Sequence, residues 1–477
     1  MKLLLCTMLV SLLMLPVVSA QANDNSAYIK EFPVPQPYLG PLAITYHDGK
    51  IWFTLDGSNA IGVFNPSDES FKMYALPWQP TNQVSQYGME GIVVDKDGMV
   101  WFTHSSTSRI GRFDPKVQTF SGIVVRPNAS IFRVLPDKTG NVWYSDIQNN
   151  KIGFVSPDGT VKEFDMPTAK SGPAGLFFDS SGKLWFTETF AKKVGVLDLQ
   201  TNVITEFPAP RDFINSPVGI VVDNNGIAWV ADHGGAVIVR FDPKSNTWDK
   251  FITSRPPPEI FPISLPNDLA LDKQGNLWIT EHGGNKIAKF DPKTNLLTEY
   301  VIPSVPAITL WLTMDDAENV WFAEADAGKI GKLDTKKPVA FTLSVSADVV
   351  SVSAGKESVF SASVESSQSI PKISMLSYGF PSSLNVTAKT KELALQSAGS
   401  QKADFQVSIR HEIDAGKYGF AISASDGKVF QTRTITINVE ASRPNQDILV
   451  YASIGIVAVV VAAIVIFLFV FRRVWKS

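Results

Sequence analysis

Short runs of apolar and β-branched residues alternate with polar turns over most of this chain. Between Tyr28 and Asp334 the runs are rich in Val, Ile, Phe and Thr, and clusters of Asp, Asn and Gly separate them. Runs this short, broken by Gly and Pro, predict β-strands rather than helices. We therefore expect an all-β fold.

A recurring tryptophan sets the period of the pattern. "WFT" or a close variant occurs seven times at intervals of 49, 42, 42, 44, 49 and 43 residues, at Trp52, Trp101, Trp143, Trp185, Trp229, Trp278 and Trp321. Each unit holds four predicted strands, and four strands with a period in the forties are typical of a propeller blade. We predict a seven-bladed β-propeller over residues 28–335, with the tryptophans packed between blades.

The chain begins with a fragment of this repeat. "YIKEFPVP" at Tyr28–Pro35 matches the endings "VITEFPAP" and "LLTEYVIP" of later units, and the seventh unit lacks such an ending after "KIGKLD". We therefore predict that residues 28–32 supply the missing outer strand, with Ile29–Phe32 paired to Lys329–Leu333. An open ring would leave unpaired sheet edges.

The composition changes after the propeller. Residues 336–338 have the character of a linker, and residues 341–440 alternate Ser, Val, Ala and Thr over about 100 positions. This pattern predicts an immunoglobulin-like β-sandwich, for which we expect the role of a stalk.

Both ends of the chain have the character of targeting segments. Residues 1–20 have the pattern of a cleaved signal peptide, and residues 448–471 are uncharged and long enough for a transmembrane helix. The cations of residues 472–477 predict a short cytoplasmic tail. We expect a single-pass protein of the cell membrane with its N-terminal domains outside. Its one cysteine, Cys6, lies in the signal peptide, so disulfides and cysteine chemistry are excluded.

The charge balance argues against a nucleic-acid partner. Without Lys2 and the three tail cations, the 43 Lys and Arg fall to 39 against 46 Asp and Glu, a net charge of −7. Nucleic-acid sites need a basic patch. The expected partners are the membrane, through one helix, and an unknown extracellular ligand that is a small molecule, a glycan or a peptide.

Candidate chemistry falls in the loop after each tryptophan strand, because loops at one end of a propeller channel come from every blade. Three of the five histidines lie there, and two of them stand in acid-His-Gly-Gly sequences. Such pairs can bind a divalent cation, or the acid can cap the turn; both alternatives stay open. The predicted residues are His282 and His233 as catalytic groups, Glu281 and Asp232 as metal ligands, and His104 and Glu324 as further channel-mouth residues.

The loop that leads into each blade supplies a second set. Most copies carry Pro followed by small residues there, but Glu90, Arg133, Asn267 and Asp268 differ. Glu90 and Asn267 are predicted ligands for Mg²⁺ or Ca²⁺, and Arg133 and Asp268 are predicted at the channel mouth. The alternative is that all four are solvated loop residues.

The repeats resemble those of a known family. "GPAGLFFDSSGKLWFTE" followed by "KKVGVLD" and "TEFPAP" is similar to the blade of the virginiamycin B lyase, or streptogramin lyase, family over about residues 28–334. Gluconolactonase-like and NHL propellers share a looser version. The resemblance implies Mg²⁺-dependent elimination that opens a depsipeptide ring, with histidine in the lead-in loops as the base.

The family's site residues are replaced in this chain. Asn267 stands at one histidine position, Thr309 and Leu310 stand at the Pro-His places of the last lead-in loop, and Glu324 lies one residue before the family's Glu, where this chain has Ala325. Two functions remain. The first is a binding or scaffold module that recognises a ligand at the channel mouth. The second is a metal-dependent lyase or hydrolase of an extracellular ester or lactone, acting through other residues.

Overall fold

The computed structural model describes residues 28–79, 88–255, 262–353, 355–410 and 412–440. Within them the fold is all-β, with two single 3₁₀ turns at Asp56–Ser58 and Ser105–Thr107 and no α-helix. The predicted signal peptide, transmembrane helix and cytoplasmic tail lie outside these residues. No helix of the described part is long and apolar enough to cross a membrane.

Repeated four-stranded antiparallel sheets make up the first part of the chain, and we refer to each as a blade. Strand β1 is Ile29–Pro33. Blade one contains β2 (Pro41–His47), β3 (Lys50–Leu55), β4 (Ala60–Asn65) and β5 (Ser70–Ala75); blade two contains β6 (Ile92–Val94), β7 (Val100–His104), β8 (Arg109–Asp114) and β9 (Thr119–Val124); blade three contains β10 (Ile131–Pro136), β11 (Val142–Asp146), β12 (Lys151–Val155) and β13 (Val161–Asp165).

The later blades repeat this order. Blade four contains β14 (Pro173–Phe178), β15 (Leu184–Glu188), β16 (Lys193–Asp198) and β17 (Val203–Pro208); blade five contains β18 (Pro217–Val222), β19 (Ala228–Asp232), β20 (Val237–Asp242) and β21 (Thr247–Ile252); blade six contains β22 (Pro266–Leu271), β23 (Leu277–Glu281), β24 (Lys286–Asp291) and β25 (Leu296–Val301); blade seven contains β26 (Leu312–Met314), β27 (Val320–Glu324) and β28 (Lys329–Leu333).

The fourth strand of blade seven comes from the start of the chain. Strand β1 pairs antiparallel with β28, from Ile29 opposite Leu333 to Pro33 opposite Lys329. This is the pairing predicted from the repeat fragment. The first strands of neighbouring blades contact one another around the ring, including β2 with β26, so the sheets enclose a central channel.

The seven repeat tryptophans are packing residues, as predicted. Each is at most 6% exposed. In six blades the indole nitrogen donates to the carboxylate six residues earlier, for example Trp101 to Asp95 at 2.7 Å and Trp321 to Asp315 at 2.8 Å. A buried indole N–H needs such an acceptor, which explains the acidic residue in the turn before each of these tryptophans.

The second part of the chain is a β-sandwich with a single hydrophobic core. One sheet has the order β29-β31-β35-β33 and the other β34-β32-β36-β37-β30. The strands are β29 (Thr342–Val345), β30 (Val349–Val352), β31 (Glu357–Ser366), β32 (Ile370–Tyr378), β33 (Leu384–Ala388), β34 (Glu392–Leu395), β35 (Gly399–Ile409), β36 (Gly416–Ser425) and β37 (Val429–Val439).

The sandwich and blade six share one nine-stranded sheet. Strand β37 pairs antiparallel with β25, from Leu296 opposite Arg433 to Tyr300 opposite Val429. The sandwich is thus attached to the side of the ring by backbone hydrogen bonds as well as through the linker at 336–338, which the expectation of a stalk did not include.

Candidate functional site

A β-bulge places the lead-in residues at the channel. In blade six, Pro266 pairs with Glu281 and Leu269 with Ile279, so Asn267 and Asp268 together oppose a single residue. Blades one, three, four and five show the same irregularity. A bulge redirects the side chains of its residues, and the pairing also confirms that the two predicted loop sets lie at the same end of the blade.

The hydroxyl of the "WFT" threonine holds this bulge. The Thr280 Oγ1 accepts the Asp268 N–H at 3.0 Å and donates to the Leu310 carbonyl of the next blade at 2.9 Å. Ser145 makes the same two bonds, with the Arg133 N–H and the Ala174 carbonyl. One hydroxyl therefore accepts from the backbone N–H that the bulge leaves unpaired and donates to a carbonyl of the next blade. Buried backbone N–H and C=O groups need such partners.

Equivalent bulge residues form one level of the channel, which we call the channel ring. Its members, aligned by these bonds and by strand register, are Ala43, Gly91, Arg133, Gly175, Gly219, Asp268 and Trp311. Four of them are small. At Gly175 an added Cβ would lie 2.2 Å from the Val218 carbonyl oxygen, so the next blade leaves no room for a side chain.

The three large members of the channel ring contact one another. An Arg133 guanidinium nitrogen lies 3.4 Å from the Asp268 carboxylate, and the guanidinium carbon lies 4.4 Å from the centre of the Trp311 ring. Blade three is a neighbour of neither blade six nor blade seven, so these contacts cross the channel. Burial raises the pKa of Asp268, while the Arg133 charge opposes that shift. An ion pair and a cation–π contact therefore occupy this level.

The other lead-in residues have separate surroundings. The Asn267 side-chain amide donates to the Leu310 carbonyl at 2.9 Å and so links blades six and seven.

Burial, with a contribution from nearby Asp56, raises the pKa of Glu90 to about 8. Glu90 therefore carries a proton at neutral pH. Among the described residues, no group of three or more His, Cys, Asp or Glu is placed to hold a metal ion.

Two predicted catalytic histidines meet at the same end. The Nε2 atoms of His233 and His282 are 2.7 Å apart, and the rings stack with an interplanar angle of 22°. Burial, with His233 nearby, lowers the pKa of His282 to about 3, and burial lowers the pKa of His233. Both imidazoles are therefore neutral near pH 7, with one N–H donating to the other nitrogen.

The acids that precede these histidines are engaged elsewhere. The Asp232 carboxylate accepts the backbone N–H groups of Asn215 and Ser216, at distances down to 2.6 Å, which is the turn-capping role weighed from the sequence. Glu281 is fully buried, and burial together with Glu299 raises its pKa well above the ordinary range. In the described residues each of these acids therefore interacts with groups other than the histidine that follows it.

A carboxyl–lysine–glutamate group recurs within single blades, and sequence reasoning missed it. In blade seven, Lys329 lies 2.6 Å from Glu31, and burial with the Glu31 charge raises the pKa of Glu324 to about 8. Glu188, Lys193 and Glu206 repeat the arrangement in blade four, where the pKa of Glu188 rises to about 7. The recurring acids after the tryptophan and the Glu of "xEF" were the available signal.

His104 occupies the corresponding place in blade two. Its ring nitrogens contact the Thr107 hydroxyl at 2.6 Å and the Asn59 side-chain oxygen at 2.9 Å. Burial lowers the pKa of His104 to about 4, and the nearby Arg109 charge adds to this effect. The local hydrogen bonds account for a neutral imidazole in this position.

Comparison with known proteins found a family model and solved structures that are similar to the propeller. Residues 27–255 match the sequence model of the virginiamycin B lyase family. The match supports a β-propeller of the virginiamycin B lyase family. A streptogramin B lyase structure is 28% identical with a TM-score of 0.56, covering 64% of this chain and 97% of that one. Virginiamycin B lyase from Staphylococcus aureus is 29% identical with a TM-score of 0.56, covering 64% and 98%.

More distant similarity extends to the whole fold. The extracellular domain of a protein described as a hybrid two-component system from B. thetaiotaomicron is 16% identical with a TM-score of 0.51, covering 85% of this chain and 56% of that one. At that identity the likeness concerns the fold alone. No curated protein matched the sequence.

The propeller differs from the virginiamycin B lyase family at the positions where the resemblance implies the catalytic site. The resemblance places histidines at the positions of Asn267 and Leu310, and here the Asn267 side chain and the Leu310 carbonyl instead bond to each other. Asp268 and Arg133 fill the adjoining level of the channel. The positions implied for base chemistry thus carry contacts between blades.

Proposed function

We propose that this chain is a seven-bladed, membrane-anchored extracellular binding module whose channel mouth holds an external ligand without the elimination chemistry of its family. The contact of Arg133 with Asp268 and Trp311 carries the proposal, because it spans the channel beside the positions implied for the lyase base with side chains that bind each other. The location rests on the predicted signal peptide and transmembrane segment, and the immunoglobulin-like class of the sandwich remains part of the proposal.

The groups at this end suit a ligand rich in carbonyl oxygens. The neutral His233–His282 pair, in which one N–H is used between the rings, and Glu90, whose pKa is raised, bring polar groups without net charge. Phe132 packs edge-on against Trp311 at 5.4 Å and adds apolar surface. Small-molecule sites typically combine a few polar groups with apolar and aromatic surface. A related inactive lyase from S. aureus was solved with quinupristin, which makes quinupristin the appropriate probe.

Calorimetric titration of the full-length protein with quinupristin tests the binding. We expect saturable binding that Glu90→Ala weakens by about 10-fold, the loss typical of one buried hydrogen bond to a ligand. Lys293→Glu, on a distant turn of blade six, is the matched control and should leave affinity unchanged. Absence of saturable binding, or equal affinity in Glu90→Ala, would contradict a carbonyl-binding mouth.

The second candidate, a metal-dependent lyase or hydrolase of an extracellular ester or lactone, has one observation in its favour. Two neutral imidazoles with Nε2 atoms 2.7 Å apart provide both a base and metal ligands. If they hold Mg²⁺ or Ca²⁺, chelator should lower the melting temperature and either cation should restore it. His282→Gln should abolish that response, and a melting temperature insensitive to both cations excludes this candidate.

A further inference from the structure

The outer edge of blade five is an open strand edge. Strand β21 pairs only with β20, and the Thr253 N–H just beyond it bonds towards β20, at the Ala236 carbonyl. The Ile252 N–H points the other way and bonds to the Thr434 hydroxyl of the sandwich at 2.9 Å. Because antiparallel strands alternate their bonding direction, the backbone groups of Trp248 and Lys250 also point away from β20.

A cleft runs along this edge. It has a volume of about 1010 Å³ and is lined by Trp248, Asp249, Lys250 and Phe251, with sandwich residues such as Tyr418 on the opposite wall. Successive residues of a strand face opposite sides of the sheet. A space that touches all four therefore lies beside the strand rather than over one of its faces.

The adjacent blade already shows what such an edge accepts. The outer strand of blade six, β25, is extended by β37 through antiparallel pairing over residues 296–300. The cleft is continuous with this joint, since Thr434 and Thr436 of β37 also line it. The outer edge of blade six therefore pairs with an added strand, whereas the outer edge of blade five faces the cleft.

The charges in the cleft favour an acidic occupant. Lys250, Lys293 and Lys417 are exposed, and within the described residues their ammonium groups have no hydrogen-bond or ion-pair partner. Of the four acids that line the cleft, Asp249 pairs with Arg240 at 3.0 Å and Asp348 with Arg433 at 2.6 Å, whereas Asp223 and Asp291 accept backbone hydrogen bonds within their own turns. The five lysines and arginines of the lining exceed these four acids by one, and the three lysines without such partners lie on both walls.

We propose that this cleft binds an extended peptide with carboxylate side chains, which adds as a strand to β21. Its backbone pairs with the outward N–H and C=O groups of Trp248 and Lys250, and its acids reach the three lysines. Backbone pairing supplies affinity and side-chain charge supplies selectivity, as in other strand-addition sites. This site is distinct from the channel mouth and stands independently of it.

Fluorescence anisotropy with the full-length protein tests the peptide chemistry. The probe is a labelled peptide of alternating Thr and Glu, and its controls are the Thr-Lys counterpart, the Thr-Glu peptide N-methylated at alternate amides, and oligogalacturonate. We expect the Thr-Glu peptide to bind at least about 10-fold tighter than the Thr-Lys peptide, with an affinity that falls as salt rises. N-methylation should abolish binding, because it removes the strand's donors.

Two variants separate backbone pairing from charge. Lys250→Ala removes one ammonium group, whereas Lys250→Pro also removes the outward N–H at an edge where proline is tolerated. Proline should therefore weaken binding several-fold more than alanine, and Lys293→Glu, on a turn outside any strand, should weaken it without altering the sheet. Equal binding of the N-methylated peptide, tighter binding of oligogalacturonate, or no saturable binding of the Thr-Glu peptide would overturn the proposal.

Discussion

The Arg133 guanidinium lies 3.4 Å from the Asp268 carboxylate across the central channel, although 135 positions separate the two residues in the chain. They occupy equivalent bulges of blades three and six, where four other blades have Gly or Ala. Two members of a ring of otherwise mostly small residues thus carry opposite charges, and their contact spans the channel. Trp311, the remaining large member, stacks on the guanidinium.

The first prediction concerns the energetics of this pair. Arg133→Leu leaves the buried Asp268 carboxylate without its cation and should lower the free energy of unfolding by about 3 kcal/mol. The double variant Arg133→Leu/Asp268→Leu should lose less than the sum of the single variants, by at least about 1 kcal/mol. Urea unfolding of all four proteins measures this coupling. Additive losses would show that the two groups do not interact across the channel.

The second prediction concerns closure of the ring by β1. The Glu31 carboxylate accepts from the Ser304 N–H at 2.8 Å, the Ser304 hydroxyl at 3.0 Å and Lys329 at 2.6 Å. Glu31→Ala should cost about 2–3 kcal/mol because it leaves three partly buried donors without their acceptor. The neighbour Lys30 pairs with Glu69 on the surface, and Lys30→Ala should cost less than about 0.5 kcal/mol. Equal losses in chemical denaturation would contradict a closing role for Glu31.

The third prediction is a pH dependence with a definite sign. Glu324 is fully buried and has a pKa of about 8, against an ordinary value of 4.5. Between these values the unfolded chain releases the proton and the folded chain keeps it, so this contribution to stability is complete below pH 4.5 and declines as pH rises to about 8. Glu31 and Lys329 are the charges that face it.

The Glu324→Gln variant isolates this effect, because the amide resembles the protonated acid and cannot ionise. The stability of the wild type relative to the variant should fall with rising pH across this window, by up to about 1.4 kcal/mol per pH unit. Melting temperatures of both proteins from pH 4 to pH 9 provide the measurement. A difference that is independent of pH would mean that Glu324 ionises normally in the folded state.

The fourth prediction concerns the joint between propeller and sandwich. The Thr432 hydroxyl of β37 donates to the buried Glu299 carboxylate of β25 at 2.9 Å. Thr432→Val should destabilise the propeller by about 1–2 kcal/mol, although the change lies in the sandwich. Ten of the eleven tryptophans lie within residues 28–335 and residues 341–440 contain none, so the tryptophan fluorescence transition reports mainly on the propeller. An unchanged fluorescence transition would show that the two parts unfold independently.

The fold could be predicted from the repeat because its recurring residues have the same structural role in successive blades. The tryptophan, the preceding aspartate and the threonine hydroxyl recur with fixed partners, and these local contacts are visible as a period in the sequence. The pairing of Ile29–Pro33 with blade seven followed from counting incomplete units. The addition of β37 to β25 had no such signal, because an outer strand looks the same whether its edge is open or paired.

The candidate site was less predictable because its contacts are not local. Asp232 is the last residue of β19 and His233 begins the turn that follows. The carboxylate caps a loop, while the imidazole meets His282 of the next blade. Arg133, Asn267 and Asp268 stood out against small residues, yet only ring closure reveals that Arg133 and Asp268 are each other's partners. Whether Glu90, Glu281, Asp232 and Asn267 ever bind a cation stays a prediction.

Mass spectrometry of quinupristin after incubation with the full-length protein and Mg²⁺ tests the central claim most directly. The account predicts that quinupristin is recovered intact, because the positions implied for the lyase base hold Asn267 and Leu310, next to the contact of Arg133 with Asp268 that spans the channel. Appearance of the ring-opened product in the presence of Mg²⁺, and its loss with chelator, would contradict a binding module without lyase chemistry.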